Sequence, residues 1–247
     1  MEEKPLLITL WVNKMLGPAV AHLLALLGIH YTGPKPLIPD HVVMSVVIVF
    51  FTIVWLAIMR RGFTMLPGKM QQVLEMLYEY LKSLLEENIG HKGVKFLPLV
   101  TTLALFIFSS NMVGLIPGLK SPTSNLNVTV ACALIVFLYY NYQGLREHGV
   151  LNYLKHFCGP VWWLAPLMFP VEIVSHLARP LSLSVRLFGN IFGEDMIVLV
   201  FFALAPLFIP LPIMALQIVT AIVQTLVFVL LTTMYLAGAV ESEEHEH

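Results

Sequence analysis

The chain has 247 residues, of which 58% are hydrophobic and 12% are charged, with a formal net charge of −1. Soluble domains carry about 25% charged residues, so this composition excludes an ordinary soluble protein and indicates an integral membrane protein. The apolar runs are continuous rather than alternating, which favours an all-α bundle over a β-barrel. The near-zero net charge gives no reason to expect a nucleic-acid partner.

The first 40 residues are predicted to form an external N-terminal segment. Residues 6–27 are moderately apolar but are interrupted by Gly17-Pro18, which favours an interfacial helix rather than a full crossing. Residues 42–59 carry no charge and would extend about 27 Å as a helix, enough to cross a bilayer. Arg60-Arg61 ends this first predicted span.

Residues 60–95 combine basic residues with an apolar stripe at helical spacing. This pattern predicts a cytoplasmic amphipathic helix that lies either on the membrane or against a partner. The stripe consists of Met70, Val73, Leu74, Leu77, Leu81, Leu84 and Leu85.

Two further spans are predicted over 96–116 and 127–142, joined by a short loop at 117–125. A polar segment, 143–160, is expected to connect the third span to the rest of the chain. Residues 60–95 and 143–160 hold six and two Lys or Arg residues, whereas 117–125 holds one. Basic loops stay on the cytoplasmic side, which predicts an outside N-terminus.

Residues 162–202 are too long for one upright crossing, because some 40 residues would extend about 60 Å. Arg179-Pro180-Leu-Ser contains no glycine for a turn, which favours one long, tilted helix bent at Pro170 and Pro180. A return loop at 205–212 and an uncharged last helix at 213–239 follow. The prediction is a single membrane domain of about five spans, whose residues 162–239 form a channel-forming helical hairpin.

Cys132 and Cys158 lack the spacing of metal ligands and are interpreted as packing residues. No metal or other cofactor is expected, and neither a glycine-rich phosphate loop nor a catalytic site for ATP is recognisable in the chain.

The chemically informative residues lie on the long helix. At 100° per residue, five residues fall within about 80° of Arg186 and form one polar stripe. They are Glu172, His176, Arg179, Asn190 and Glu194. Asp195 lies about 180° from Arg186, so these two residues cannot form a simple intrahelical pair.

A second stripe on the last helix holds Gln217, Gln224 and Tyr235. The glutamines are interpreted either as hydrogen-bonding groups between helices or as functional groups. Likewise, His176 and Glu172 are either a structural pair or part of a proton path. Arg186 points to function, because a charge within the membrane costs roughly 2.5–3.5 kcal/mol and usually faces a partner or a water path.

The sequence Leu-Ser-Leu-Ser-Val-Arg-Leu-Phe-Gly-Asn at 181–190, with an acid nine residues after the arginine, resembles the signature of the subunit a family of F-type ATP synthases. Asn111-Met-Val-Gly-Leu-Ile-Pro117 and Asn125-Leu-Asn-Val-Thr129 are also similar to family motifs. So are Gln224 and Tyr235 in the last helix.

The resemblance implies roles for individual residues. Arg186 would be the essential stator arginine facing a c-ring carboxylate, with Asn190 and Gln224 beside it. Asp195 would line the half-channel open to the outside. Further path residues would be Glu194, Gln217, His176, Glu172, Tyr235 and Asn111. Two features depart from the family pattern: Asp195 replaces the usual Glu, and Gln217 stands where some members have a histidine.

The implied function is a non-catalytic, proton-translocating stator subunit that couples proton flow to ring rotation and ATP synthesis. Its expected partners are c-ring subunits, the peripheral-stalk subunit b, the rest of the complex and the lipid bilayer. A bacterial inner membrane is expected in preference to a plastid thylakoid membrane. The competing interpretations are a self-contained secondary transporter, which would favour two related halves, and a structural membrane anchor.

Overall fold

The computed structural model describes residues 7–26, 37–62, 68–116, 119–156, 165–204 and 210–240. These residues form seven α-helices and two short 3-10 segments, so the expected all-α class is confirmed. The helices are α1 (Leu7–Leu26), α2 (Asp40–Arg61), α3 (Lys69–Ile89), α4 (Leu97–Gly114), α5 (Leu126–His156), α6 (Ala165–Leu204) and α7 (Pro210–Val240). The 3-10 segments are His91–Phe96 and Pro122–Ser124.

Four segments in the described part of the chain are long and apolar enough to cross a membrane: Asp40–Arg61, His91–Gly114, Leu126–Glu147 and Leu211–Val240. The protein is therefore an integral membrane protein. The remaining predicted crossing corresponds to α6. It differs from these four segments because five charged residues are distributed along it.

The prediction of one long helix in place of two upright spans is confirmed, because α6 runs unbroken for 40 residues, or about 60 Å. Pro170 and Pro180 both lie inside it. Its predicted first residues, 162–164, lie outside the described part of the chain.

Two predicted connections were wrong in extent. The segment 143–160 was expected to be a polar linker, but helical residues extend into it as far as His156, in two stretches that meet at a kink at Gly149 (φ 74°, ψ 159°). The return loop was expected to reach residue 212, but α7 begins at Pro210. Proline is tolerated there because the first residues of a helix have no intrahelical partner for their N–H groups.

The second half of α3 packs into the core of this chain. Leu81 and Leu85 are fully buried, whereas Met70 and Val73 in the first half are exposed. The backbone at residue 93 passes close to the end of α3, and this contact requires glycine. A Cβ atom on Gly93 would lie 2.5 Å from the backbone oxygen of Leu85. The amphipathic stripe therefore has two parts, of which only the first is available to a membrane or partner.

The hydrophobic core joins α3 to α4, α5, α6 and α7. Its fully buried side chains include Phe96, Ile107, Val136, Leu187 and Leu236. Cys132 is also buried in this core, in line with its interpretation as a packing residue. Leu187 follows Arg186 directly, so the packing of α6 turns the arginine away from the core.

Candidate functional site

The ten predicted site residues come from three helices. Six lie on α6, namely Glu172, His176, Arg186, Asn190, Glu194 and Asp195. Gln217, Gln224 and Tyr235 lie on α7, and Asn111 lies on α4. The long helix thus supplies most of the site, and its neighbours supply the contacts.

Arg186 has an exposed side chain. Within the described ranges, its guanidinium takes part in no hydrogen bond, ion pair or ring contact. An adjacent side of α6, about 60–140° from Arg186, is buried through Leu183, Leu187 and Ile191. The packing of α6 therefore presents a cation on the surface of the chain.

Asn190 lies one turn after Arg186 and connects α6 to α7. Its Nδ2 atom donates a hydrogen bond of 2.7 Å to Oε1 of Gln224. Gln224 is buried, and Gln217 two turns earlier on α7 is buried as well. Both predicted glutamines consequently face the interior of the bundle.

The neighbouring acids Glu194 and Asp195, both half-buried, point to different helices. The Glu194 carboxylate interacts with the hydroxyl of Thr220 on α7. Asp195 interacts with the hydroxyl of Ser124 in the second 3-10 segment. A Cβ atom on Gly114 of α4 would lie 3.8 Å from Oδ1 of Asp195, so the carboxylate lies beside the end of α4.

Asn111 belongs to a buried polar network that sequence reasoning found only in part. The hydroxyl of Thr123 donates to Oδ1 of Asn111 at 2.8 Å, and lies 2.6 Å from the hydroxyl of Ser121. Ser121 in turn donates to the backbone oxygen of Ser110 at 2.9 Å. This network folds the loop after α4 back onto α4 and so holds Ser124 near Asp195.

Ser121, Thr123 and Ser124 were missed because the sequence places them in a loop, where polar residues are ordinary. The available signal was the density of hydroxyl groups in Ser-Pro-Thr-Ser, next to the Asn125 motif.

His176 lies near the other end of the stripe, between α5 and α7. Its Nε2 atom lies 2.8 Å from Oδ1 of Asn141 and 3.2 Å from the hydroxyl of Tyr140. His176 also feels the charge of Glu172, so the structure leaves both sequence-based interpretations of these two residues open. Tyr235 lies under Arg179, whose guanidinium carbon is 5.6 Å from the ring centre.

The structure thus separates the predicted site into three groups. Arg186 lies at the surface, one turn before Asn190, which is hydrogen-bonded to Gln224. The acids at 194 and 195 lie further along α6 against Thr220 and Ser124, and His176 lies before Arg186 against α5. Chemically, the set offers one permanent cation, two carboxylates that can exchange protons, and polar side chains that can hydrogen-bond to water.

The comparisons with known proteins agree on one family. The family model described as "ATP synthase A chain" matches residues 41–237. The chain is 50% identical to "ATP synthase subunit a 1" of Syntrophotalea carbinolica over 184 residues, which is 74% of this chain and 78% of that protein. It is 43% identical to "ATP synthase subunit a" of a Sulfurihydrogenibium species, covering 83% of this chain and 99% of that protein. For "ATP synthase subunit a" of Geotalea daltonii the identity is 41%, over 89% of this chain and 93% of that protein.

Proposed function

The chain belongs to the ATP synthase A chain family, and on that premise we propose that it is the stator channel subunit that couples proton flow to rotation of a c-ring. Membership makes it a non-catalytic membrane subunit of a proton-translocating ATP synthase. The roles of individual residues, the two half-channels and the direct partners are the proposal.

The observation that carries the proposal is that Arg186 is exposed and has no partner among the residues that the structure describes. An arginine stays protonated at any physiological pH, so it is a fixed positive charge. Such a charge within the membrane requires a partner or water. A carboxylate on a neighbouring subunit is the partner that would be attracted while ionised and released once protonated.

The surface around Arg186 supports a helical partner. Gly189 lies one turn away, and no atom of the described residues lies within 4 Å of the Cβ position at Gly189 or Gly193. The packing of this chain therefore does not require glycine at either position. Small residues at a membrane interface allow the backbone of another helix to approach closely.

Apolar side chains on α6 and α7 extend this surface. The exposed side chains are Leu181, Val185, Phe192, Leu216, Val219 and Val223. A largely apolar surface that carries a single arginine suits a ring of helices that carry one carboxylate each.

The outward half-channel is proposed to reach the ring along the acids of α6. Asp195 and its neighbour Ser124 would line it on the α4 side, together with Asn111 and its network. Glu194 and Thr220 would line it on the α7 side, with Gln217 nearby. Asp195 lies nine residues, or about 13 Å, from Arg186 along the helix axis.

The mechanism then follows from the charges. A proton that arrives past Asp195 neutralises a ring carboxylate, which can afterwards face lipid. On the other side of Arg186, near Glu172, the carboxylate releases its proton into a path open to the cytoplasm. Arg186 lies between the two paths and repels a proton that would pass directly. Each charge moved across 100 mV supplies about 2.3 kcal/mol.

The proposed direct partners are the c-ring and the peripheral-stalk subunit b, and the proposed location is a bacterial inner membrane. The exposed first half of α3, with Met70 and Val73, is a candidate contact for a stalk or for the membrane surface.

The experiment that tests the proposal is ATP-driven proton pumping by the whole complex in membrane vesicles, with passive proton leak recorded alongside. Arg186→Ala is expected to abolish pumping while the complex still assembles. The matched control is Arg61→Ala, which removes an exposed arginine at the end of α2 and should pump as the wild type does. Normal pumping by Arg186→Ala would overturn the proposal and favour a self-contained transporter.

A further inference from the structure

Three helices meet in a cluster of polar and aromatic side chains that precedes Arg186. The cluster, here called the clamp, consists of Tyr140 and Asn141 of α5, His176 and Arg179 of α6, and Tyr235 of α7. Tyr140 is fully buried at its centre. His176 and Arg179 precede Arg186 by ten and seven residues, or by about 15 and 10 Å along the helix.

Hydrogen bonds fix which ring nitrogen of His176 carries a proton. Nδ2 of Asn141 donates to the backbone oxygen of Phe137 at 2.7 Å, which orients the amide so that its Oδ1 faces His176. An amide oxygen can only accept a hydrogen bond, so Nε2 of His176 must be the donor. The Nε2 proton is thus engaged in a bond between α5 and α6.

The same histidine also packs against two aromatic rings of α5. The centres of the Phe137 and Tyr140 rings lie 5.3 and 5.2 Å from the centre of the imidazole, both with edge-to-face geometry. Such contacts between aromatic rings contribute about 0.5–1.5 kcal/mol each beyond the area that they bury. His176 is therefore packed as a structural side chain of the α5–α6 contact.

Arg179 extends the connection to α7. Its guanidinium lies over the ring of Tyr235, and the Tyr235 ring lies 6.2 Å from that of Tyr140. An arginine over an aromatic face is stabilised by about 0.5–2 kcal/mol. Through this stacking, α6 is attached to α7 as well as to α5.

The direction of Arg186 depends on these attachments. Because its guanidinium contacts no partner in the described part of the chain, the rotation of α6 about its own axis decides where the arginine points. The clamp fixes that rotation before Arg186, and the Asn190–Gln224 hydrogen bond fixes it after. Rotation of α6 would have to break one of the two attachments.

We propose that the clamp is a positioning device for Arg186, in which His176 acts as a fixed hydrogen-bond donor and Tyr235 as a stacking surface, rather than as carriers of protons. This inference rests on the proposed function. Of the two sequence-based interpretations of His176, it favours the structural one, with Asn141 and Tyr140 as partners.

The test uses the whole ATP synthase in membrane vesicles and two pairs of substitutions. His176→Gln keeps an N–H donor at about the place of Nε2, whereas His176→Leu removes it. Tyr235→Phe keeps the ring beneath Arg179 and loses the hydroxyl, whereas Tyr235→Leu loses the ring. The readouts are the amount of assembled complex, ATP hydrolysis, proton pumping, passive leak and the ratio of pumping to hydrolysis.

A clamp predicts that both conservative variants keep the pumping-to-hydrolysis ratio within about twofold of wild type. Both truncating variants should lower that ratio by roughly tenfold, because about 1.4 kcal/mol of orienting interaction corresponds to a factor of ten. Passive leak should rise in the truncating variants alone. In the double variant His176→Leu with Asn141→Leu, the pumping-to-hydrolysis ratio should fall no further than in either single variant. Each single substitution already removes the hydrogen bond between the two side chains.

A proton relay predicts the opposite ranking. If His176→Gln and Tyr235→Phe lose pumping as fully as the truncating variants, the side chains carry protons and the clamp is overturned. Wild-type ratios in both truncating variants would overturn it as well. If His176→Leu does not assemble, the Tyr235 pair decides by the same criteria.

Arg186→Ala separates this inference from the function on which it rests. Normal pumping by Arg186→Ala would overturn both. Loss of pumping in Arg186→Ala together with normal coupling in His176→Leu and Tyr235→Leu would overturn the clamp alone.

Discussion

Asn190 on α6 and Gln224 on α7 are joined by a 2.7 Å hydrogen bond between their side-chain amides, one helical turn after Arg186. Gln224 is buried, so its amide oxygen has little access to other donors. The two helices that border the proposed ring surface are thus held in register by a bond between neutral groups. Arg186 takes no part in this hydrogen bond.

Replacing Gln224 by Met should remove this bond at nearly unchanged volume. Hydrogen bonds between membrane helices contribute about 0.6–2 kcal/mol, so the complex should lose stability by this amount. The measurement is a double-mutant cycle of Gln224→Met with Asn190→Leu, followed by thermal unfolding in detergent. Strictly additive losses would mean that the two amides do not depend on one another.

Arg186→Lys keeps a positive charge but should not restore function. A lysine in a poorly hydrated place can lose its proton, whereas arginine does not. Passive proton leak should therefore increase as the pH rises, because a neutral lysine no longer repels protons between the half-channels. We expect roughly tenfold lower pumping, since a displaced charge stabilises the ring carboxylate less well. A leak that does not depend on pH would contradict this account.

Gly189→Leu should damage the complex without damaging the chain. Among the described residues no atom lies within 4 Å of the Cβ position, so a Cβ atom has room here. Leu also favours a helix over Gly by about 0.5–1 kcal/mol, so the subunit should accumulate normally.

The leucine would, however, occupy the space that a neighbouring helix needs, and co-purification of the ring should fall. Gly238→Leu is the matched control, because its Cβ position on α7 is equally open but lies 14 residues after Gln224. Equal recovery of the ring with both variants would exclude a close helical contact at Gly189.

Gly93→Ala should destabilise the packing of α3. The added Cβ atom would lie 2.5 Å from the backbone oxygen of Leu85, and backbone atoms cannot move aside cheaply. Overpacking of this kind costs about 1–3 kcal/mol. Gly62→Ala serves as control, because its Cβ contact of 3.5 Å is ordinary. A thermal midpoint that falls equally in both would contradict the close approach.

The sequence was sufficient to predict the long helix and the placement of Arg186 and Asp195 on different faces of it. Helical periodicity places Asp195 opposite Arg186, and in the structure Asp195 lies against Ser124 while Arg186 is exposed. These features depend on the rotation of 100° per residue, which is a local property of any helix, and on the thickness of the bilayer, which is common to all membrane proteins.

Contacts between distant segments could not be predicted in the same way. Nothing in the periodicity of α6 indicates that His176 meets Asn141, 35 residues earlier, or that Thr123 bonds Asn111. The extension of α5 to His156 was missed because residues 143–156 are polar, and polarity was interpreted as a loop. In the structure Lys95 pairs with Glu147 in this extension, a contact that connects it to the start of α4.

The exposed arginine has a consequence for the life of the newly made chain. Without the proposed ring, Arg186 would face hydrocarbon or draw water into the bilayer, at a cost of roughly 2.5–3.5 kcal/mol. Because a free energy of folding is only about 5–15 kcal/mol, this cost would be substantial for an unassembled subunit. Docking to the proposed ring carboxylate would remove it. Arg186 would therefore make the unassembled subunit less stable than the assembled one. This difference would favour synthesis of the subunit together with the ring.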